Sequence, residues 1–122
     1  MLQKMQPKWR MGLWKKLRAA FANDADPLAG LDYDKSWILV YKHAIVGCAV
    51  VTSPGYLQYL YVDEEFRHQG HGTRLLHACL PCVKTLHCDA DVLPFYTRAA
   101  SFDISDAEEG RKFLSLLDTG LK

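Results

Sequence analysis

The chain has 122 residues, a formal net charge of +1, 49% hydrophobic residues and 24% charged residues. This size and composition indicate a single globular domain with its own core, and the near-neutral charge gives no reason to expect nucleic acid as a partner. No segment reaches the roughly 18 to 20 apolar residues of a membrane span, and basic residues interrupt the N-terminus where a signal peptide needs an apolar core. We therefore expect a cytoplasmic protein.

The first 36 residues predict an N-terminal helical region with a basic surface. Residues 1–22 carry six basic side chains and no acidic one, and in residues 5–22 apolar side chains recur at spacings of three and four. That spacing is typical of an amphipathic helix. Three roles stay open for this helix: it packs as the first helix of the domain, it docks on an acidic partner protein or nucleic acid, or it lies on a membrane surface.

After an acidic loop, the chain predicts three strands in an antiparallel meander. The segments WILVY, IVGCAVVTS and YLQYLYV are rich in β-branched and aromatic residues, and the turns between them are too short for crossover connections. In the third strand, alternation places Tyr59 and Tyr61 on one face and Gln58, Leu60 and Val62 on the other. The pattern does not decide which of these faces lines a substrate channel.

The second half of the chain predicts alternating helices and strands. A helix beginning near Gly70 or Gly72 runs through TRLLHACL, and the strand VKTLHC after it is expected to lie parallel to the third strand. VLPFYTRAA predicts a short helix, SFDI a last strand, and residues 105–122 a C-terminal helix. We expect this tail to be too short for a final strand hairpin unless a second chain, in a homodimer, completes the sheet. The fold class is α/β with a mixed sheet, in one domain divided into residues 1–36, 37–104 and 105–122.

The stretch FRHQGHGTRLL places two glycines at the start of a predicted helix. The N–H groups at a helix N-terminus have no partner within the helix, and together with the helix dipole they favour an anion. Gly70 and Gly72 would let a phosphate approach those donors, while Arg67 and Arg74 add positive charge. The pattern lacks the lysine of a Walker loop and the third glycine of a dinucleotide-binding fingerprint. The alternative is a tight turn from strand to helix that itself demands glycine.

These residues also carry a family resemblance. The segment LYVDEEFRHQGHGTRLL resembles the central motif of the GNAT-type N-acetyltransferase superfamily, in which a strand leads into Arg/Gln-x-x-Gly-x-Gly/Ala, and Arg67, Gly70 and Gly72 fill that pattern. Further along, VLPFYTRAASF resembles the helix of the same family that contains Phe-Tyr. The resemblance spans residues 37–102. It implies a mostly antiparallel mixed sheet, flanked by helices, in which the third strand splays from the parallel strand that follows.

The resemblance implies an acetyl-CoA-dependent N-acetyltransferase. Acetyl-CoA would be the co-substrate, and an amine of a protein or a small molecule would attack its thioester directly in a ternary complex. Tyr96 falls on the tyrosine that protonates the departing thiolate in many members of the family. The backbone of the third strand would pair with the pantetheine arm, and the loop amides would hold the pyrophosphate. The implied cofactor-binding residues are Leu60, Tyr61, Val62, Arg67, His68, Gln69, Gly70, His71, Gly72, Thr73 and Asp89.

Acetyl transfer also needs a neutral amine, and the sequence leaves the general base open. For Tyr96 the alternative is a purely structural role as an aromatic ring packed beside Phe95. The rival hypothesis for the whole chain is a catalytically weak domain of the same family, which binds CoA or a protein partner and acts as a modulator. Base candidates near the expected site are Tyr59, Asp63, Glu64, Glu65, His68 and Asp89, or a chain of water molecules.

The cysteines favour neither disulfides nor a metal centre. In a cytoplasmic protein Cys48, Cys79, Cys82 and Cys88 are expected to be free thiols. Cys79 and Cys82 form a C-x-x-C pair, but a zinc site would need a second pair at the proper distance, and His87-Cys88 is only a partial one. We therefore expect no metal site.

Overall fold

A computed structural model describes residues 1–121 of the chain, apart from the side chain of Thr119. Within these residues, seven strands and three α-helices are joined by short 3₁₀ helices and turns. The strands are β1 (Leu2–Lys4), β2 (Trp37–Tyr41), β3 (Ala44–Thr52), β4 (Tyr56–Val62), β5 (Thr85–Asp89), β6 (Ala100–Asp106) and β7 (Arg111–Leu121). The α-helices are α1 (Arg10–Ala20), α2 (His71–Cys79) and α3 (Leu93–Ala99). The 3₁₀ helices are Pro7–Trp9, Glu64–Phe66, Leu80–Cys82, Ala90–Val92 and Glu108–Gly110.

The sheet is mixed and mostly antiparallel. Its strand order is β1-β2-β3-β4-β5-β7-β6, and in the described part of the chain β4 and β5 are the one parallel pair. The parallel pair is connected through α2, while β2, β3 and β4 follow one another as antiparallel neighbours. The α/β class and the meander predicted from the sequence are confirmed.

Helices cover both faces of the sheet, with α1 on one face and α2 and α3 on the other. Leu13 and Leu17 of α1 are fully buried in one core cluster, and Leu75 of α2 is fully buried in a second. The strand β3 supplies side chains to both clusters, since Val50 belongs to the first and Val51 to the second. A strand buried on both faces needs apolar residues at nearly every position, which explains the continuous apolar run in β3. The basic N-terminal helix therefore packs as part of the domain.

β4 carries a bulge that interrupts its side-chain alternation. Tyr59 pairs with Val50, but Leu57 pairs with Val51, so Gln58 is an extra residue in the ladder with β3. Leu57 consequently packs on the face of α2 and α3, while Tyr59 packs on the face of α1. Beyond the bulge the predicted alternation is confirmed. Tyr59 and Tyr61 pack on the face of α1, whereas Leu60 and Val62 pack on the opposite face.

β4 and β5 pair only where they begin. In residues 1–121 the parallel ladder joins Tyr56 to Thr85 and Leu57 to Leu86, and no later residue of β4 has a partner on β5. β5 pairs instead along its other edge with β7 over its whole length. The two parallel strands therefore diverge directly after Leu57, at the position of the bulge. The splay implied by the family resemblance is present.

The predicted C-terminal helix over residues 105–122 is wrong (Lys122 lies outside the described residues). β6 and β7 form an antiparallel hairpin around a turn at Glu108–Gly110. β7 lies between β5 and β6, so its backbone pairs on both edges and Leu114 is fully buried. The acidic residues that resemble a helix start form the turn instead, because Glu109 and Gly110 both have positive φ. The expectation that the tail is too short for a hairpin is also wrong, since one chain completes the sheet.

The N-terminal region differs from its prediction in two details. Residues 2–4 form the edge strand β1, which pairs antiparallel with β2. The sequence of these three residues shows no pattern that predicts a strand. α1 begins at Arg10, after a 3₁₀ turn that contains Pro7, since proline cannot donate the backbone hydrogen bond of a helix interior. Of the described helices, none has the length and apolar character needed to cross a membrane.

Candidate functional site

The divergence of β4 and β5 opens a cavity of about 400 Å³ between the two strands. Beyond Leu57, the edge of β4 that faces this cavity has no described partner on β5, so its backbone N–H and C=O groups are accessible to an extended ligand. We call this cavity the strand cleft, and its walls include Tyr56, Leu60, His87, Asp89, Tyr96 and Arg111.

Tyr96 is a half-buried side chain of α3 at the wall of the strand cleft. Burial raises the pKa of its hydroxyl to about 12, the nearby thiols of Cys88 and Cys79 add to the rise, and the positive charge of Arg111 opposes it. The hydroxyl therefore carries its proton at neutral pH and can donate it within the cleft. Its ring also packs edge-on against Phe95 with centroids 5.2 Å apart, so the structural and the chemical role of Tyr96 are compatible.

A second cavity, of about 430 Å³, lies at the N-terminus of α2, and we call it the loop pocket. The strand β4 and the helix α3 border both cavities. Leu60 and Tyr96 line the strand cleft, whereas Val62 and Phe95 line the loop pocket, so the two cavities follow each other along one boundary. The residues of the loop and of α2 that line the loop pocket are Arg67, His68, Gly70, His71, Gly72 and Thr73.

The two glycines of the loop are explained by different physical causes. Gly70 precedes α2 with a φ of +82°, a left-handed conformation that strains other residues, and nothing lies within 4 Å of the place a Cβ would take. Gly72 has no positive φ, and a Cβ there would meet only the ring of Phe95, at an ordinary distance of 3.7 Å. A tight turn therefore accounts for Gly70. A turn does not account for Gly72, which leaves room for a ligand to approach the start of the helix.

The loop pocket is electropositive. Arg67 and Arg98 line it, and its described lining residues include no carboxylate. The Nε atom of Arg67 donates a hydrogen bond of 2.8 Å to the carbonyl oxygen of Val62, which ties the loop to the end of β4. His71 Nδ1 is buried and has no hydrogen-bond partner in the described structure, a state that costs free energy until a ligand or water binds there. This pocket therefore suits an anionic ligand.

Some of the predicted cofactor-binding residues lie away from these cavities. Gln69 is exposed and lines neither of them. The side chain of Tyr61 lies on the α1 face, where its ring is 5.8 Å from that of Phe21, so only its backbone is near the cleft. Asp89 lines the strand cleft with a largely exposed carboxylate, which lies 3.6 Å from Nε of Arg111.

The structure also brings in residues that the sequence analysis missed. Tyr56 and His87 both line the strand cleft, and their Oη and Nδ1 atoms are 2.7 Å apart. Arg111 reaches the same cleft from β7, and Arg98 reaches the loop pocket from α3. Only His87 had a sequence signal, as a polar residue inside a predicted strand. Tyr56 and Arg111 depend on the pairing of β4 with β5 and of β5 with β7, which no local pattern reveals, and Arg98 depends on the position of α3 beside the loop pocket.

The four cysteines are free thiols, as expected. Burial raises the pKa of the thiols of Cys48 and Cys79 to about 12, whereas Cys82 is exposed after the end of α2. Among the described residues, no group of three or more His, Cys, Asp or Glu side chains is arranged to hold a metal ion.

Three solved structures share this fold over nearly the whole chain. Arabidopsis thaliana Naa50 in complex with the bisubstrate analogue CoA-Ac-MVNAL has a TM-score of 0.70 at 19% identity, covering 93% of this chain and 95% of that chain. Escherichia coli ElaA has a TM-score of 0.69 at 14% identity, covering 96% of this chain and 99% of that chain. Arabidopsis thaliana NAA60 with a bisubstrate analogue has a TM-score of 0.66 at 16% identity, covering 96% of each chain. Because these sequence identities are low, the structural similarity establishes a shared fold and nothing more.

No sequence among the curated proteins matches the chain significantly. A family model does match it: the acetyltransferase (GNAT) domain aligns with residues 32–102. The match covers more than half of the chain and includes the loop with Gly70 and Gly72 as well as Tyr96. Fold, loop geometry and family model agree, and the chain belongs to the GNAT acetyltransferase family.

Proposed function

We propose that the protein is an N-acetyltransferase that transfers the acetyl group of acetyl-CoA to a primary amine of a protein or a small molecule. The amine attacks the thioester directly in a ternary complex, without a covalent enzyme intermediate. One arrangement carries this assignment: the electropositive loop pocket and the strand cleft follow each other along β4 and α3, and Tyr96 lines the cleft. Acetyl-CoA has the same order of groups, from the diphosphate through an amide-containing arm to the reactive sulfur.

The loop pocket supports binding of the diphosphate. The first N–H groups of α2 are uncapped by any side chain, and the helix dipole favours negative charge at this end. Gly72 leaves room for close approach, and Arg67 and Arg98 supply positive charge. The unpartnered Nδ1 of His71 would gain a hydrogen-bond partner when a ligand binds. In this proposal the backbone from His68 to Thr73 holds the phosphates, with Gln69 contributing through its backbone alone.

The strand cleft supports binding of the arm and of the thioester. The unpaired edge of β4 from Leu60 to Val62 offers backbone groups to the amides of the arm, like an added strand. The carbonyl oxygen of Val62 already accepts a hydrogen bond from Arg67, so the arm depends on the other backbone groups of this edge. The hydroxyl of Tyr96 then protonates the sulfur as the carbon–sulfur bond breaks. Holding amine and thioester together contributes on the order of 7 to 11 kcal/mol in well-oriented intramolecular cases.

The acceptor amine enters from the face of α1 in this proposal. Phe21, at the end of α1, lines the strand cleft together with Tyr59, and their ring centroids are 4.8 Å apart. The hydroxyl of Tyr59 donates a hydrogen bond to Asp24, which fixes the loop after α1 against β4. Because Tyr96 belongs to the opposite face, acceptor and cofactor approach the cleft from different sides of the sheet.

The proposal is tested with purified protein, acetyl-CoA and a panel of amines that includes peptides with free N-termini, lysine peptides and small polyamines. Release of free CoA is followed by chromatography, so that the protein thiols do not contribute. We expect CoA to raise the melting temperature and at least one amine to accelerate CoA release. A rise in melting temperature without turnover on any amine would favour the catalytically weak modulator. The absence of both effects would overturn CoA binding itself.

A further inference from the structure

An arginine lies in the strand cleft with most of its hydrogen-bonding capacity unused. The side chain of Arg111, at the start of β7, lines the cleft, and among the described lining residues it is the only arginine or lysine. Its Nε atom is 3.6 Å from the carboxylate of Asp89, which is too long for a hydrogen bond, and this carboxylate is 72% exposed. Within the described residues, the N–H donors of the guanidinium therefore remain available to a ligand.

The positive charge of Arg111 acts on several groups around the cleft. Burial raises the pKa values of Tyr56, Cys88 and Tyr96, and in each case the charge of Arg111 opposes that rise. These three side chains line the strand cleft as well. A charge that acts on all of them also acts on a ligand that is bound between them.

Arg111 belongs to the face of the sheet from which the acceptor enters in the proposed reaction. In the ladder between β5 and β7, Phe113 pairs with His87, and Leu114 pairs with Leu86. Leu86 and Leu114 belong to the core cluster of α2 and α3. Phe113 and His87 therefore point to the face of α1, where their ring centroids are 4.9 Å apart. Arg111 is two residues before Phe113 on the same strand, so it lies on that face too.

A cation at this position selects among amines by their charge. An aliphatic amine is mostly an ammonium ion at neutral pH, and two positive charges at close distance repel each other in a partly buried cleft. Asp89 offsets this repulsion only in part, because its carboxylate is largely exposed to water. An acceptor that carries a carboxylate beside its amine is attracted instead, and a carboxylate matches the planar fork of a guanidinium.

The space next to Arg111 has room for the rest of such an acceptor. A cavity of about 410 Å³ is lined by Arg111 and His87 together with Ala107, Glu108 and Glu109 of the connection between β6 and β7, and we call it the turn cavity. Arg111 and His87 also line the strand cleft, so the two cavities adjoin at these side chains. An α-amino acid fits this arrangement, with its amine in the cleft, its carboxylate at Arg111 and its side chain in the turn cavity.

We infer that the acceptor is an α-amino acid and that Arg111 selects it by binding its carboxylate. This inference rests on the proposed acetyl transfer and names the class of acceptor. The neutral amine attacks the thioester carbon, the C–N bond forms as the C–S bond breaks, and the proton lost by the nitrogen balances the proton gained by the sulfur. The products are an N-acetyl amino acid and free CoA. The carboxylates of Glu108 and Glu109 favour amino acids with neutral or basic side chains over acidic ones.

The experiment uses matched acceptors that differ in a single group. Alanine, alaninamide and ethylamine form one series, leucine, leucinamide and 3-methylbutylamine form a second, and in each series the amino acid alone carries a carboxylate. Values of kcat/KM are measured with acetyl-CoA for the wild type, Arg111→Gln and Arg111→Lys, and CoA binding is measured separately by the shift in melting temperature. Lys112→Gln is the matched control, because Lys112 is the next residue of β7, pairs with Asp106 and lines neither cavity.

We expect the wild type to prefer each amino acid over its amide about tenfold or more in kcat/KM. Arg111→Gln should lower kcat/KM for the amino acids about 30-fold or more, mainly through KM, and should leave the amides within about threefold of the wild type. Arg111→Lys should recover part of the loss, because it keeps the charge and lacks the planar fork. CoA binding should be the same in all variants, and Lys112→Gln should follow the wild type.

Faster reaction of the amides, of the amines without a carboxylate or of peptide N-termini than of every amino acid would overturn the inference. An Arg111→Gln variant that keeps the wild-type preference would overturn it as well. Succinyl-CoA replaces acetyl-CoA in a parallel series, and a faster reaction with it that depends on Arg111 would assign the guanidinium to the acyl donor instead. A wild type that is inactive on every amine would overturn the proposed acetyl transfer itself.

Discussion

Leu57 and Tyr59 are two residues apart on β4, yet their side chains pack on opposite faces of the sheet. The bulge at Gln58 causes this, and the ladder between β4 and β5 ends at the same place. The bulge thus coincides with the end of the parallel ladder, beyond which the edge of β4 has no described partner on β5. The strand cleft lies where the two strands diverge.

Tyr96→Phe should lower kcat about 100-fold while leaving CoA binding intact, because the variant keeps the ring and loses only the proton donor. The pKa of about 12 means that the hydroxyl is protonated throughout the physiological range. Loss of this group should therefore reduce the rate at every pH from about 6 to about 9 by a similar factor. Steady-state kinetics and CoA melting shifts provide the check. An unchanged kcat would leave Tyr96 with its packing role against Phe95.

The two loop glycines should respond differently to alanine. Gly70→Ala should destabilise the fold by about 1 to 2 kcal/mol, because φ at this position is +82°. Gly72→Ala should leave stability unchanged or raise it by up to about 1 kcal/mol, because the new Cβ meets only the ring of Phe95 at van der Waals distance. The same variant should weaken CoA binding about tenfold or more, on the order of 1.4 kcal/mol.

Urea denaturation measures the stability of both variants, and calorimetric titration measures CoA binding. A Gly72→Ala protein that binds CoA as tightly as the wild type would show that no ligand approaches this position. A Gly70→Ala protein of wild-type stability would contradict the left-handed backbone before α2.

Asp63→Asn should lower the free energy of unfolding and leave the rate of acetyl transfer unchanged. Asp63 follows β4 and is bound through both carboxylate oxygens to Lys16 of α1, which fastens the helix to the sheet. The two side chains are only 20% and 26% exposed, so loss of the pair should cost about 1 kcal/mol. Lys16→Met should cost a similar amount, whereas Lys15→Met, at an exposed position of α1, should cost almost nothing. A lost acid limb in the pH profile of Asp63→Asn would instead make Asp63 the base.

A single fast-reacting thiol is expected in the folded protein. Burial raises the pKa of the Cys48 and Cys79 thiols to about 12, so almost none of either group is thiolate at neutral pH, whereas Cys82 is exposed. Reaction with a chromogenic disulfide should therefore label Cys82 first, and Cys82→Ser should remove the fast phase. The pKa of Cys88 is also raised by burial, so this thiol should react slowly. Rapid labelling of Cys48 in the native protein would contradict the described core.

Leu114→Ala should destabilise the protein by about 2 to 5 kcal/mol, because this side chain is fully buried in the middle of β7. Leu117→Ala, on the same strand but with a side chain that is 47% exposed, should change stability by less than about 0.5 kcal/mol. Thermal or urea unfolding distinguishes the two variants. Equal effects would argue against the hairpin that β7 forms with β6.

The sequence was informative wherever a signal is local. The meander, the helix beginning at His71 and the α1 amphipathic pattern follow from residue spacing, and the loop glycines mark the start of α2. The prediction of a C-terminal helix is wrong because Ser105 and Asp106 resemble a helix cap, whereas the decisive fact is pairing with β5, more than 20 residues earlier in the chain. Strand pairing over such a separation leaves no periodic trace in a single segment.

By itself the sequence determined the fold class and the family resemblance, and it predicted a loop for a diphosphate and Tyr96 as the candidate acid. Each of these features depends on a short run of consecutive residues, because helix starts, turns and apolar periodicity are local properties of the chain. Only the tertiary structure decided where β4 leaves β5, on which face of the sheet each side chain lies, and that Tyr56 meets His87. These relations depend on ladder register and on a one-residue bulge, which arise when distant strands pair.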